Sequence, residues 1–150
     1  MANRRAHTIA GSAFGGTTAF LLAHDQDPGH RLLEALGGAL GGAWGGRPPD
    51  LIEPALHPGH RSVAHALVPA FATGAAGVPR LRVGQQHVRR RADGCHARRD
   101  AATTTLEQLL WWLAEMACRI VAGAMAGAAA GYVSHLLLDA ATPRGLPLLA

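Results

Sequence analysis

Gly131-Tyr132-Val133-Ser134-His135-Leu136-Leu137-Leu138-Asp139-Ala140-Ala141-Thr142-Pro143-Arg144-Gly145 is the stretch from which the rest of the chain is best understood. It reads as the last turns of an apolar helix closed by a Pro/Gly stop. His135 and Asp139 are four residues apart, which sets an imidazole and a carboxylate on one helix face, one turn apart. Both interrupt a run of Leu, Ala and Val, and polar groups buried in such a run need partners. The two residues can serve each other through a hydrogen bond, or a metal ion can serve both.

Working back from this segment, Gly123, Gly127 and Gly131 recur every four residues along the same helix. The pattern repeats elsewhere: Gly11 and Gly15 in a first helix spanning Thr8 to Ala23, and Gly37, Gly41 and Gly45 in a second running from Leu32 to about Trp44. A glycine costs roughly 1 kcal/mol against alanine in a helix interior. Close helix–helix approach through small-xxx-small faces is the natural compensation. No stretch alternates as a strand, so the expected fold is all-α: one domain over residues 1–150, a compact glycine-rich bundle of four to five helices. Ile120 to Leu138 is 19 residues without a formal charge, enough to span a bilayer. A transmembrane bundle is therefore one expectation; a soluble bundle, or one lying on a membrane, is the other.

The charge is unevenly spread. All 14 basic residues are arginine, against 10 acidic ones, and seven of the arginines with two aspartates fall between Pro79 and Asp100. That window carries +5, which leaves the remainder near neutral (+4 − 5 = −1). Residues from about 79 to 102 are expected to form a basic loop. It lacks the interleaved aromatics of a nucleic-acid surface; it reads as a solvated loop that could serve a membrane surface or fix topology by the positive-inside rule. Ser62 is a candidate cap for a third helix reaching about Ala72, with a kink at Pro69. The last helical run starts at Thr103, Thr104 or Thr105. Cys95, in the loop, and Cys118, in a helix, do not make a disulfide framework. His24, His30, His87 and His96 read as exposed loop histidines. Trp111 and Trp112 read as core or interfacial anchors. Met1 to Arg5 leads straight into a segment holding His7, with no cleavable signal peptide in view.

Each glycine-lined helix carries a candidate ligand at one end. His7 precedes Gly11 on the same row, Asp50 follows Gly45 across Pro48-Pro49, and His135 and Asp139 continue the row of the last helix. His60 and His65 flank the start of the third. If the helices alternate up and down, His7, Asp50, His60, His65, His135 and Asp139 converge at one end of the bundle. The condition is that the last run, roughly 57 Å as a single helix of about 38 residues, enters from the far end. Imidazoles and carboxylates together suit Zn²⁺ best, with Mn²⁺ or Fe²⁺ as alternatives. Asp50 and Glu53 are the candidate general bases.

Arg47-Pro48-Pro49-Asp50-Leu51-Ile52-Glu53-Pro54, followed by His60-Arg61 and His65, resembles the PD-x-x-EP…HR-x-x-x-H core of the membrane-bound, metal-dependent hydrolases, some of them LexA-regulated. His7 and the Gly131–Gly145 segment resemble that family's two ends, so the likeness runs through the whole chain. It departs at Ala66, where the family usually has Ser, at Glu53, where many members have Asp, and at Pro48, commonly apolar. The resemblance implies an all-helical protein distantly similar to zinc-dependent phospholipase C. It implies hydrolysis, with a small-molecule or lipid phosphoester as substrate, at a bacterial cell membrane, a cytoplasmic location being the alternative. It places metal on His7, Asp50, His60, His65, His135 and Asp139, and gives Arg61 a role in holding a substrate phosphate. The competing classes are a non-catalytic metal-binding or structural membrane protein, and a basic interaction module.

Overall fold

The computed structural model describes residues 4–47 and 67–141. These form four helices, α1 (Arg4–Leu22), α2 (Pro28–Gly45), α3 (Leu67–Ala101) and α4 (Thr105–Ala140), with no strand among the described residues. The fold is the all-α bundle that the glycine pattern predicts.

The glycine rows are where the helices meet. A Cβ added at Gly11 or Gly15 would strike the backbone of Gly42 or Gly38, so α1 and α2 run antiparallel in near-backbone contact. One added at Gly37, Gly41 or Gly45 would strike Ile120, Ala124 or Ala128. One at Gly123, Gly127 or Gly131 would strike Glu34, Gly38 or Gly42. Residue numbers rise together in these pairs, so α2 and α4 run parallel. Backbones this close leave no room for side chains at the seam. The buried apolar set is therefore mostly alanine: Ala19, Ala23, Ala92, Ala122, Ala126 and Ala130, with Leu136.

α4 is unbroken for 36 residues and begins at an N-cap in which the Thr104 hydroxyl accepts from the Glu107 N–H at 3.3 Å. It enters from the far end and returns to the end that holds the start of α1, as the convergence of ligands requires. The traverse that makes this possible is α3. The segment expected to be a basic loop is helical throughout, through Pro79, and packs antiparallel on α4. Its inward stripe is polar: Gln85, Arg89, Asp93, His96 and Arg99 recur at three- or four-residue intervals. Gln85 donates to the Ala122 carbonyl at 3.1 Å, and Arg89 grips the fully buried Glu34 of α2 at 2.6 and 2.9 Å. Arg119 of α4, also buried, donates to Asp93 and to Gln26 at 2.6 Å each. A helix whose contact face is largely polar and charged carries no clear apolar period, which is why the sequence reads as a loop there.

The outside of the bundle is the reverse of its interior. Ile9, Phe14 and Leu21 of α1 and Leu32, Leu36, Leu40 and Trp44 of α2 are exposed, as are Val121, Val133 and Leu137 of α4. The outer face of α3 instead exposes Arg80, Arg82, Arg90, Arg91 and Arg98. α4 is long and apolar enough to cross a membrane. Trp111 is half-buried beneath the Arg98 guanidinium, 4.9 Å from its ring centre, and Trp112 is exposed, so neither is a core residue.

Candidate metal centre

Three of the residues expected to bind metal come together. His7, from the first turn of α1, and His135 and Asp139, from the last two turns of α4, are all buried. The end of α2 closes the group: the Gly46 carbonyl accepts from His135 Nδ1 at 2.7 Å. A carbonyl can only accept, so Nδ1 carries the proton, which leaves Nε2 as the ring nitrogen that could serve a metal. That Nε2 lies 3.5 Å from Asp139 Oδ2, and His7 Nε2 lies 3.6 Å from Asp139 Oδ1. The two imidazoles stack at 4.0 Å between centres, 23° from parallel. Each ring thus turns a nitrogen towards one oxygen of the same carboxylate.

The spacing is longer than a direct charge-assisted hydrogen bond and is compatible with a shared metal. A charge-assisted N–H···O contact closes to about 2.7–2.9 Å, whereas donors at zinc bond lengths in a tetrahedral site sit about 3.4 Å apart. The backbone carbonyl behind His135 is the outer contact that metal-bound imidazoles commonly make, because it fixes tautomer and ring orientation. By donor type and proximity these three residues are a group that could hold a divalent ion such as Zn²⁺, Mn²⁺ or Fe²⁺.

The other candidates from the sequence, Asp50, Glu53, His60, Arg61 and His65, lie outside the described residues, as do Ser62 and Ala66. The chain leaves the described structure at Arg47, next to the carbonyl that holds His135.

Two histidines expected in exposed loops are instead on helices and partly buried. His30 belongs to α2 and His96 to α3, and both reach the fully buried Glu115 of α4. Nothing in the order of the sequence pairs residues 66 and 19 positions apart (96 − 30 and 115 − 96); the helix packing does it. His24 and His87 are exposed, as expected, although His87 too is helical. Cys95 lies on α3 and is a free thiol like Cys118.

No family model matches this chain, and neither does any curated protein or solved structure.

Proposed function

We propose that the protein is a metal-dependent hydrolase that works at a membrane and cleaves a phosphoester. The observation that carries the metal is the arrangement around Asp139. His135 Nδ1 is committed to the Gly46 carbonyl, so its Nε2 faces a carboxylate that His7 approaches from the other side. Two buried imidazole nitrogens, each 3.5–3.6 Å from an oxygen of one carboxylate, are a donor set that a divalent cation could use. A bound ion would supply a water of lowered pKa as nucleophile at neutral pH. His7, His135 and Asp139 would hold it, with Gly46 keeping His135 in the competent tautomer. Asp50, His60 and His65 remain the further ligands that the sequence resemblance implies, Glu53 or Asp50 the base, and Arg61 the phosphate partner.

The membrane part rests on the outer surface. Exposed leucines, Ile9, Phe14 and Trp44 make the α1–α2 side an apolar face of a kind that water-soluble monomers rarely carry. The arginines on the outside of α3 would be costly against acyl chains. Lipid against α1 and α2, with the α3 face towards water and headgroups, satisfies both surfaces.

The test is elemental analysis of the full chain beside His135→Ala, followed by phosphodiesterase and phosphatase assays with added zinc or manganese. At least one ion per chain in the wild type, reduced in the variant and accompanied by metal-dependent turnover, supports the proposal. No ion in either, after purification without chelator, overturns it. Metal without turnover, and unfolding on chelation, would make this a structural metal protein instead.

A further inference from the structure

α3 packs on α4 through paired side chains whose numbers fall on one helix as they rise on the other. Gln85 donates to the Ala122 carbonyl at 3.1 Å, and Asp93 accepts from Arg119 at 2.6 Å. Glu115 contacts His96 at 3.0 Å and accepts from Arg99 at 3.2 Å. Cys95 and Cys118 lie inside this register. Cys95 falls between Asp93 and His96 on α3, three residues after the fully buried Ala92. Cys118 falls between Glu115 and Ala122 on α4, next to Arg119. Steps of three and four residues keep each cysteine on the face that its helix turns to the other. The Cys118 thiol accordingly has that of Cys95 within hydrogen-bonding reach. Both thiols are free and half-buried.

Reactive cysteines sit in electropositive, partly exposed surroundings, whereas structural ones are buried and inert. This pair has the first kind of setting, with the guanidinium groups of Arg91 and Arg119 near Cys118. Half-burial admits a small oxidant and screens the sulfurs from those of another chain. The seam also has a use for a covalent link. α3 docks largely through polar and charged pairs, and Ala92 is its only buried apolar side chain among the described residues. An element with so few buried apolar contacts is drawn from the low-stability end of a fold and opens locally. A bond between residues 95 and 118 removes the open states in which α3 and α4 part.

We infer that Cys95 and Cys118 form a redox modification site: a peroxide joins them in a disulfide that fastens α3 to α4, and a dithiol frees them again. One thiolate attacks a peroxide oxygen, the O–O bond breaks, hydroxide leaves with the electron pair, and a sulfenic acid forms. The second thiolate attacks that sulfur, the S–S bond forms, and hydroxide leaves. Two thiols and one hydrogen peroxide give one disulfide and two waters, so the two sulfurs lose two electrons and the peroxide gains them. The link is a single reversible one within the chain, which differs from a disulfide framework. It stands on its own residues, whatever occupies the His7–His135–Asp139 centre.

The experiment treats reduced, metal-free full-length protein in mild detergent with a small excess of hydrogen peroxide. Thiols are counted and peptides mapped by mass spectrometry, before and after reduction with dithiothreitol. The wild type should pass from two free thiols per chain to none, with the Cys95 peptide joined to the Cys118 peptide inside one chain. Dithiothreitol should restore both thiols. Oxidation should raise the melting midpoint by roughly 5 °C or more. Cys95→Ser and Cys118→Ser should form no internal link and show no such rise. The mapping of the wild type holds even if a variant does not fold. Thiols that stay free, oxidation that stops at a sulfenic or sulfinic acid, or links formed only between chains would each overturn the pairing. An internal disulfide that leaves the midpoint unchanged would overturn its role in fastening α3.

Discussion

Gly127→Ala sets two opposing effects against each other at one atom. Gly127 lies at the crossing of three helices. A Cβ there would be 2.6 Å from both the Cα and the carbonyl carbon of Gly38, and a Cβ on Gly15 of α1 would reach Gly127 Cα at 3.1 Å. Ordinary contact begins at 3.4 Å, so α2 and α4 would have to part by more than the roughly 0.8 Å (3.4 − 2.6) that these carbons alone require, because the Gly38 carbonyl oxygen is nearer still. The obstructing atoms are backbone, and no rotamer change can relieve them. Overpacking of this kind costs about 1–3 kcal/mol, and a contact with rigid backbone belongs near the top of that range. The substitution gains about 1 kcal/mol of helix propensity, so the expected net loss is about 2 kcal/mol. Gly94→Ala on α3 is the control, since a Cβ there meets nothing within 4 Å. It should gain up to about 1 kcal/mol. Denaturant unfolding in mild detergent, followed by far-ultraviolet circular dichroism, would separate the pair by about 3 kcal/mol on these figures. Gly127→Ala should also loosen metal binding, because His135 lies two turns further along α4 and must stay in register with Gly46. If Gly127→Ala proved as stable as Gly94→Ala, the claim that backbone proximity holds this bundle together would fail.

Arg89→Ala should cost about 3–5 kcal/mol in the same unfolding assay, because it strands the buried Glu34 carboxylate. Adding Glu34→Gln should recover much of the loss, and no recovery would show that Arg89 acts through packing alone. Metal affinity should fall as pH is lowered, since protons compete for the imidazole nitrogens and carboxylates that bind the ion; a pH-independent stoichiometry between neutral and mildly acidic conditions would argue against histidine ligands. Thr104→Ala should cost about 1 kcal/mol and fray the first turn of α4, visible as faster amide exchange from Thr105 to about Gln108 with the bundle interior unchanged.

Local rules carried much of this protein. Glycines at four-residue spacing announced helices and their contact faces, because only a missing Cβ lets two backbones approach so closely. The four-residue step from His135 to Asp139 announced a shared helix face for the same geometric reason. The place of His7 at the start of one glycine row and of His135 at the end of another was enough to bring them together once the helices alternate.

α3 was not accessible in that way. The face it turns to the other helices carries Gln85, Arg89, Asp93, His96 and Arg99, and hydrophobic periodicity is blind to such a stripe. What stabilises it is the set of complementary charges on other helices, Glu34, Glu115 and Arg119, far away in sequence. The same holds for the cluster around Glu115. His30, His96 and Glu115 belong to three helices with unrelated spacings, and their meeting depends on the register at which α2 and α3 pack on α4. Helix faces follow from bonds and near neighbours along the chain. Which buried charge meets which follows from packing between segments, where burial makes each unpaired group too costly to leave alone.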